Sequence, residues 1–127
     1  GDTIVVGAYW DDDKGTDSGS AYVFTRSGNT WTHQAKLLAF DGAASDWFGY
    51  GVAIYGDTIV VGAYWDDDKG TDSGSAYVFT QSGNTWTHQT KLLAPDGAAA
   101  NRFGMSAGIH NGTAMFGSNT RAYMFSG

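Results

Sequence analysis

The stretch Thr58-Ile59-Val60-Val61-Gly62-Ala63-Tyr64 is apolar at nearly every position, whereas Trp86 to Leu93 alternates. Trp86, His88, Thr90 and Leu92 fall on one side of an extended chain, and Thr87, Gln89, Lys91 and Leu93 on the other. A short run that is apolar on both sides reads as a sandwiched inner strand, and an alternating one as a strand with one face in water. No stretch carries apolar residues at helical spacing long enough to compete. The pattern therefore predicts four short strands: A over Phe48–Ile54, B over Thr58–Tyr64, C over Ser75–Thr80 and D over Trp86–Leu93. Tyr55-Gly56-Asp57 and Ser82-Gly83-Asn84 supply tight turns between them, and Asp96-Gly97-Ala98 a looser connection to the next Phe-Gly.

The whole unit recurs. A shift of 55 positions lays Gly1 on Gly56 and holds register to Ala44 on Ala99, with differences only at Arg26/Gln81, Ala35/Thr90 and Phe40/Pro95. Register persists more loosely through Phe48-Gly49 on Phe103-Gly104, and a third copy begins at Gly112-Thr113-Ala114-Met115-Phe116-Gly117, where His110-Asn111-Gly112 is the hairpin signal. That copy resumes at Ala122-Tyr123-Met124-Phe125, which matches Ala76-Tyr77-Val78-Phe79 at a shift of 46, so nine residues are missing between. A repeat of this length with a buried-to-exposed gradient from strand B to strand D has the signature of a propeller blade. The expected fold is all-β, with β-propeller blades of four antiparallel strands and about two and a half blades in the chain. Residues 1–47 hold strands B-C-D, 48–102 a complete blade, and 103–127 a shortened A-B-C. Because propellers use about four to eight blades, this is an incomplete propeller. It is expected to be completed by further blades of a longer chain or by homo-oligomerisation. Lys36 and Lys91 on strand D are read as protection of an outer edge.

Composition narrows the function classes. With 42% hydrophobic and 15% aromatic residues among 127 the chain has the material for a core, and 19 glycines against one proline indicate many turns. Thirteen acidic against seven basic residues give a net charge of −6, which repels nucleic acid and anionic membrane surfaces. The longest apolar run is far too short to insert across a bilayer as a helix, and Gly1 opens directly into a strand pattern without the charged and apolar regions of a signal peptide. The absence of cysteine removes disulfides, thiolate metal sites and cysteine nucleophiles.

The sequences Phe48-Gly49-Tyr50-Gly51-Val52-Ala53 and Val60-Val61-Gly62-Ala63, followed by Asp66-Asp67-Asp68-Lys69-Gly70-Thr71-Asp72-Ser73-Gly74 and Ala76-Tyr77-Val78-Phe79, resemble the FG-GAP repeat. This is the blade unit of integrin α-subunit propellers and of many secreted microbial proteins. The resemblance covers essentially the whole chain and implies an extracellular or cell-surface location and a binding or adhesion role. Three features depart from the family pattern. Gly7-Ala8-Tyr9-Trp10 and Gly62-Ala63-Tyr64-Trp65 stand where Gly-Ala-Pro is usual. The integrin calcium loop lies between strands A and B, where this chain has only a short hairpin. The last copy carries Ser118-Asn119-Thr120-Arg121 in place of the acidic cluster.

Candidate chemistry sits beside that cluster. Asp11, Asp13 and Asp17, repeated as Asp66, Asp68 and Asp72, place oxygen ligands at alternating positions with a glycine for the turn, as Ca²⁺ requires. A solvated acidic hairpin with Asx turns explains the same residues without metal. Tyr9, Trp10, Tyr64 and Trp65 precede the loops and can stack on sugar rings, or cover the rim between blades. Gly104-Met105-Ser106-Ala107-Gly108 matches a nucleophile elbow, but it lies in strand A with a strand following, and the equivalent Gly51 has no hydroxyl. Asp17-Ser18-Gly19 and its copy at 72–74 read as turns, and His33 and His88 as packed or exposed strand residues. Asn111-Gly112-Thr113 fits a glycosylation acceptor, and the hairpin explains it equally. The expected function is a non-catalytic module for a protein or glycan ligand. A calcium-assisted lectin and an accessory propeller of a secreted polysaccharide-degrading enzyme stand as alternatives.

Overall fold

In a computed structural model the described residues are 2–66, 73–94, 102–118 and 121–126. They form ten strands: β1 (Thr3–Ala8), β2 (Ser20–Ser27), β3 (Thr30–Leu37), β4 (Val52–Tyr55), β5 (Thr58–Ala63), β6 (Ser75–Ser82), β7 (Thr85–Leu92), β8 (Ser106–His110), β9 (Thr113–Gly117) and β10 (Ala122–Ser126). Neighbours in sequence pair antiparallel into three sheets, β1-β2-β3, β4-β5-β6-β7 and β8-β9-β10. The expected frame B-C-D, A-B-C-D, A-B-C is what the sheets contain. The fold is all-β, built from propeller-type sheets that do not close a ring.

Two-residue turns set the hairpin registers. Tyr55 pairs with Thr58, Ser82 with Thr85 and His110 with Thr113. Asn111 and Gly112 both have positive φ, 49° and 79°, as a type I′ turn requires.

The sheets stack face to face. One core is made by Val23 and Leu37 of the first sheet against Ile59, Val61, Tyr77 and Phe79 of the second, with Phe48 between them. The opposite face of the second sheet, Val60 and Ala76, meets Phe103, Ala114 and Phe116 of the third. Successive residues of β5 thus serve two different interfaces, and Ile59, Val60 and Val61 are all fully buried. This is the physical reason that strand B lacks polar alternation.

Three expectations need correction. Strand A begins at Val52, not Phe48, because Phe48 leaves its own sheet to bond the preceding one: its N–H donates to the Ser18 carbonyl at 3.0 Å and it bridges Gly19 in parallel. The simple alternation of strand D is also broken. Val78 faces Thr90 while Phe79 faces His88, so Gln89 is an extra residue in β7, as Gln34 is in β3. A bulge of this kind moves the residues beyond it to the other face. Lys91 therefore shares the Tyr77 face with Trp86 and His88, which also corrects its reading as edge protection. Its side chain is only 11% exposed and ion-paired to Asp41 and Asp66, and Lys36 likewise pairs with Asp11 and Asp13.

Candidate functional site

The loops that follow strand B and the connections that precede strand A meet on one rim. Two clusters are built there.

The first is aromatic. Tyr9 and Trp10 follow β1, Tyr64 and Trp65 follow β5, and the connection between sheets delivers Trp47 and Tyr50 between the two pairs. Trp47 stacks on Trp65 at 4.2 Å with 16° between planes and lies 5.1 Å from Tyr9 and 5.6 Å from Tyr64. Tyr50 meets Tyr9 at 4.8 Å and Tyr64 at 4.5 Å, edge to face. The structure so brings all four aromatics of the sequence reading into one cluster, through two rings that reading did not include. Trp47 and Tyr50 flank the Phe-Gly pair, so their signal was present in the sequence, but their neighbours across the sheets were not. The rings differ in access: Tyr64 is buried, whereas Trp10 is 64% exposed. Trp10 lines a shallow concavity of about 270 Å³ with Gly7, Ala8, Tyr9 and Asp11. Arg102 occupies the position of Trp47 one repeat later, and its guanidinium lies 5.8 Å above the Trp65 ring. Burial and the neighbouring Tyr50 push the Tyr64 phenol above its ordinary pKa.

The second cluster is ionic and occurs once in each of the first two sheets. Ser20 and Tyr22 donate their hydroxyls to Asp11 Oδ2, the latter at 2.7 Å, and Lys36 Nζ lies 3.5 Å from the same oxygen. These donations, with the Lys36 charge, hold the Asp11 carboxyl below its ordinary pKa. In the second sheet Ser75 donates to Asp66 Oδ2 at 2.6 Å, the Tyr77 hydroxyl oxygen lies 3.2 Å from the same oxygen, and Lys91 Nζ pairs with it at 2.7 Å. Here the connection between sheets adds a carboxylate: Asp41 accepts from Tyr77 at 2.7 Å and from Lys91 at 2.6 Å. Burial raises the pKa of Asp41, but the Lys91 and Tyr77 bonds outweigh it and the net displacement is downward. Burial and the Asp66 charge push the Tyr77 phenol up.

These contacts decide how the loop carboxylates stand toward a metal. Asp68 and Asp72 lie outside the described residues. Asp17 turns its backbone inward at φ 56° and donates its N–H to Asp12 Oδ1 at 2.8 Å. Asp11 and Asp13 converge on the Lys36 ammonium, and Asp66 on that of Lys91. Asp11 Oδ2 and Asp66 Oδ2 are each engaged by a serine hydroxyl and a lysine ammonium. Among the described residues no three acidic or histidine side chains group as metal ligands. The described donor set does not fit a Ca²⁺ cage, which takes six to eight oxygens.

Other residues singled out in the sequence fall in structural places. Ser18 is buried and its Oγ accepts the Lys14 N–H at 2.9 Å, so its hydroxyl serves the loop's own backbone. Ser106 starts a strand with no helix after it. His33 is exposed, and His88 packs against Phe40, Tyr77 and Phe79.

A comparison with curated protein sequences finds no match. A family model described as the FG-GAP repeat matches residues 1–24, 31–79 and 86–123. The two glycines in that name have a visible use here. A Cβ on Gly62 would lie 2.0 Å from the Gly104 carbonyl oxygen, and one on Gly104 2.5 Å from that of Ser75, so neither position admits a side chain. The buried phenylalanine, the glycines of backbone contact and the match along nearly the whole sequence agree, and the chain belongs to the FG-GAP repeat family.

Proposed function

We propose that this chain is a section of a non-catalytic, extracellular binding or adhesion propeller whose ligand engages the rim where acidic loops and aromatic rings converge. FG-GAP repeats are units of propeller-type binding modules, which supports the general class. The observation that carries the finer reading is that Asp12, Asp13, Lys14 and Thr16 are exposed on the loop that directly follows the open Trp10 ring. A negatively charged rim beside an indole suits a basic protein surface or a polyhydroxylated glycan. Calcium is not required by this reading, because Lys36 pairs with both Asp11 and Asp13.

A lectin reading is favoured by one specific feature, the exposed Trp10 face beside the Asp11 carboxylate in the concavity. The two readings separate in one experiment. Glycan arrays and immobilised basic surface proteins are probed with the wild type, Trp10→Ala and Asp13→Asn, with chelator and with added Ca²⁺. Binding to glycans lost in Trp10→Ala supports the lectin. Salt-sensitive binding to protein lost in Asp13→Asn supports the adhesion module. Binding that survives both substitutions removes the rim from either role.

We further propose that the sheets are completed by other blades. Ile4 and Val6 are 41% and 45% exposed, whereas Ile59 and Val61, the same residues one repeat later, are fully buried.

A further inference from the structure

Lys91 of β7 carries an amine held out of water between two carboxylates. Its side chain is 11% exposed. Asp66, which follows β5 and is 10% exposed, lies 2.7 Å from the nitrogen, and Asp41, from the connection before the second sheet, lies 2.6 Å from it. The Tyr77 ring is 5.1 Å away, with Phe40 and Phe48 edge-on against that ring at 6.3 and 5.2 Å. An ion pair in such a place has given up most of the hydration that favours charge, whereas a neutral amide made from the same atoms has no charge to desolvate.

The groups around the pair are also ordered for proton transfer. Lys91 Nζ donates to Asp41 Oδ2, and Asp41 Oδ1 accepts the Tyr77 hydroxyl at 2.7 Å. That hydroxyl oxygen lies 3.2 Å from Asp66 Oδ2, which Ser75 also holds at 2.6 Å. The chain of contacts thus starts at a nitrogen and ends on the oxygen that acylation of this nitrogen must expel. The first sheet has the same residue types in a different state. Lys36 stands 3.5 Å from Asp11, and the two side chains are 31% and 34% exposed. Among the described residues the Tyr22 hydroxyl meets Asp11 and no second carboxylate.

We infer that Lys91 and Asp66 form a self-modification site, at which the two side chains condense to an isopeptide bond. Asp41 takes a proton from the Lys91 ammonium, and the freed electron pair attacks Asp66 Cγ. The C–N bond forms, the Cγ–Oδ2 bond breaks, and the oxygen departs as water. Both of its protons come from the nitrogen, relayed through Asp41 and the Tyr77 hydroxyl, which end as they began. One ammonium and one carboxylate become one secondary amide and one water, with no oxidant, nucleotide or other co-reactant. The Ser75 hydrogen bond steadies the charge that builds on Oδ2 in the tetrahedral intermediate. Holding amine and carboxyl together replaces the encounter that makes this reaction slow in solution. The product ties β7 to the segment after β5 across β6, which restricts the unfolded chain and prevents the outer strand from peeling away. The inference does not depend on what the rim binds.

The test is the intact mass of the purified, folded full chain, followed by tryptic digestion. A mass below that of the sequence by one water is expected, together with a branched peptide joining residues 37–69 to residues 70–102, uncut at Lys91 and branched at Asp66 on fragmentation. Lys91→Arg should restore the full sequence mass. Asp41→Ala, which keeps both reacting groups, should lower the joined fraction at least tenfold after the same interval. The full sequence mass in wild type after prolonged incubation overturns the proposal, and this reading stands even where a variant fails to fold. Loss of water without a branched peptide also overturns it, since Asp41-Gly42 would then have closed to a succinimide. A branch at Asp41, or equal joining of Lys36 to Asp11, overturns the roles assigned by burial and contact.

Discussion

Lys36 and Lys91 are equivalent positions of the repeat, yet their surroundings differ. Lys91 is enclosed between Asp66, Asp41 and the Tyr77 ring, 5.1 Å from its centroid, while Lys36 has Asp11, Asp13 and more solvent. The missing element is a carboxylate from a preceding connection, since Asp41 reaches the second sheet from the segment before it. Removing one partner of a buried pair leaves the others uncompensated. Lys91→Met should accordingly cost about 3–5 kcal/mol in urea denaturation. Lys36→Met should cost clearly less, and equal losses would show that the enclosure of Lys91 does not matter. The carboxylates give a pH dependence of defined sign. Asp11 and Asp41 are held below their ordinary values in the folded chain. Their stabilisation is complete above the unfolded carboxylate value of about 3.9 and is lost as pH falls through the lower folded value. Thermal scans carried from about pH 5 to about pH 2 should show a steep acid limb that becomes shallower in Asp41→Asn. Asp41 was not singled out by the sequence, whereas Asp11 and Asp66 were legible there as loop acids. Their partners were not, because a bulge at Gln89 turns Lys91 to the Tyr77 face and no composition signal marks a bulge.

Strands, unlike single contacts, were legible nearly to their ends. Strand B and strand C are each found within two residues of the expected limits, and the A–B and C–D hairpins close at the Gly- or Asn-bearing turns Gly56-Asp57, Gly83-Asn84 and Asn111-Gly112. Such local signals survive because a two-residue turn and an apolar run are determined by the residues themselves. The start of strand A was not, because Phe48 exchanges its own sheet for the Ser18 carbonyl of the previous one. Close backbone contact at the strand B end makes a further test. Gly62→Ala would place a methyl 2.0 Å from the Gly104 oxygen, so backbone must shift. A loss of about 1–3 kcal/mol is expected from such overpacking. Gly108→Ala, whose added methyl meets only the end of the Met115 side chain at 3.8 Å, should cost much less on that account. Paired denaturation curves check the difference.

Stacking of sheets is heterologous: the Ile59 face of one sheet meets the Val23 face of the one before, and the pattern repeats from the second sheet to the third. Identical residues therefore differ in worth according to their place in the stack. Ile59→Ala should destabilise by about 2–5 kcal/mol. Ile4→Ala should stay within about 0.5 kcal/mol, since Ile4 is 41% exposed. An equal loss at Ile4, together with a solution mass above that of one chain, would mean that a partner covers the first sheet. The sequence by itself determined the strands, the 55-residue frame and the family, because each follows from local pattern or internal repetition. Only the tertiary structure decided that the four rim aromatics form one cluster around Trp47 and that lysines occupy the acidic loops. These depend on which copy lies against which, and repeated residues cannot specify that before the sheets are stacked.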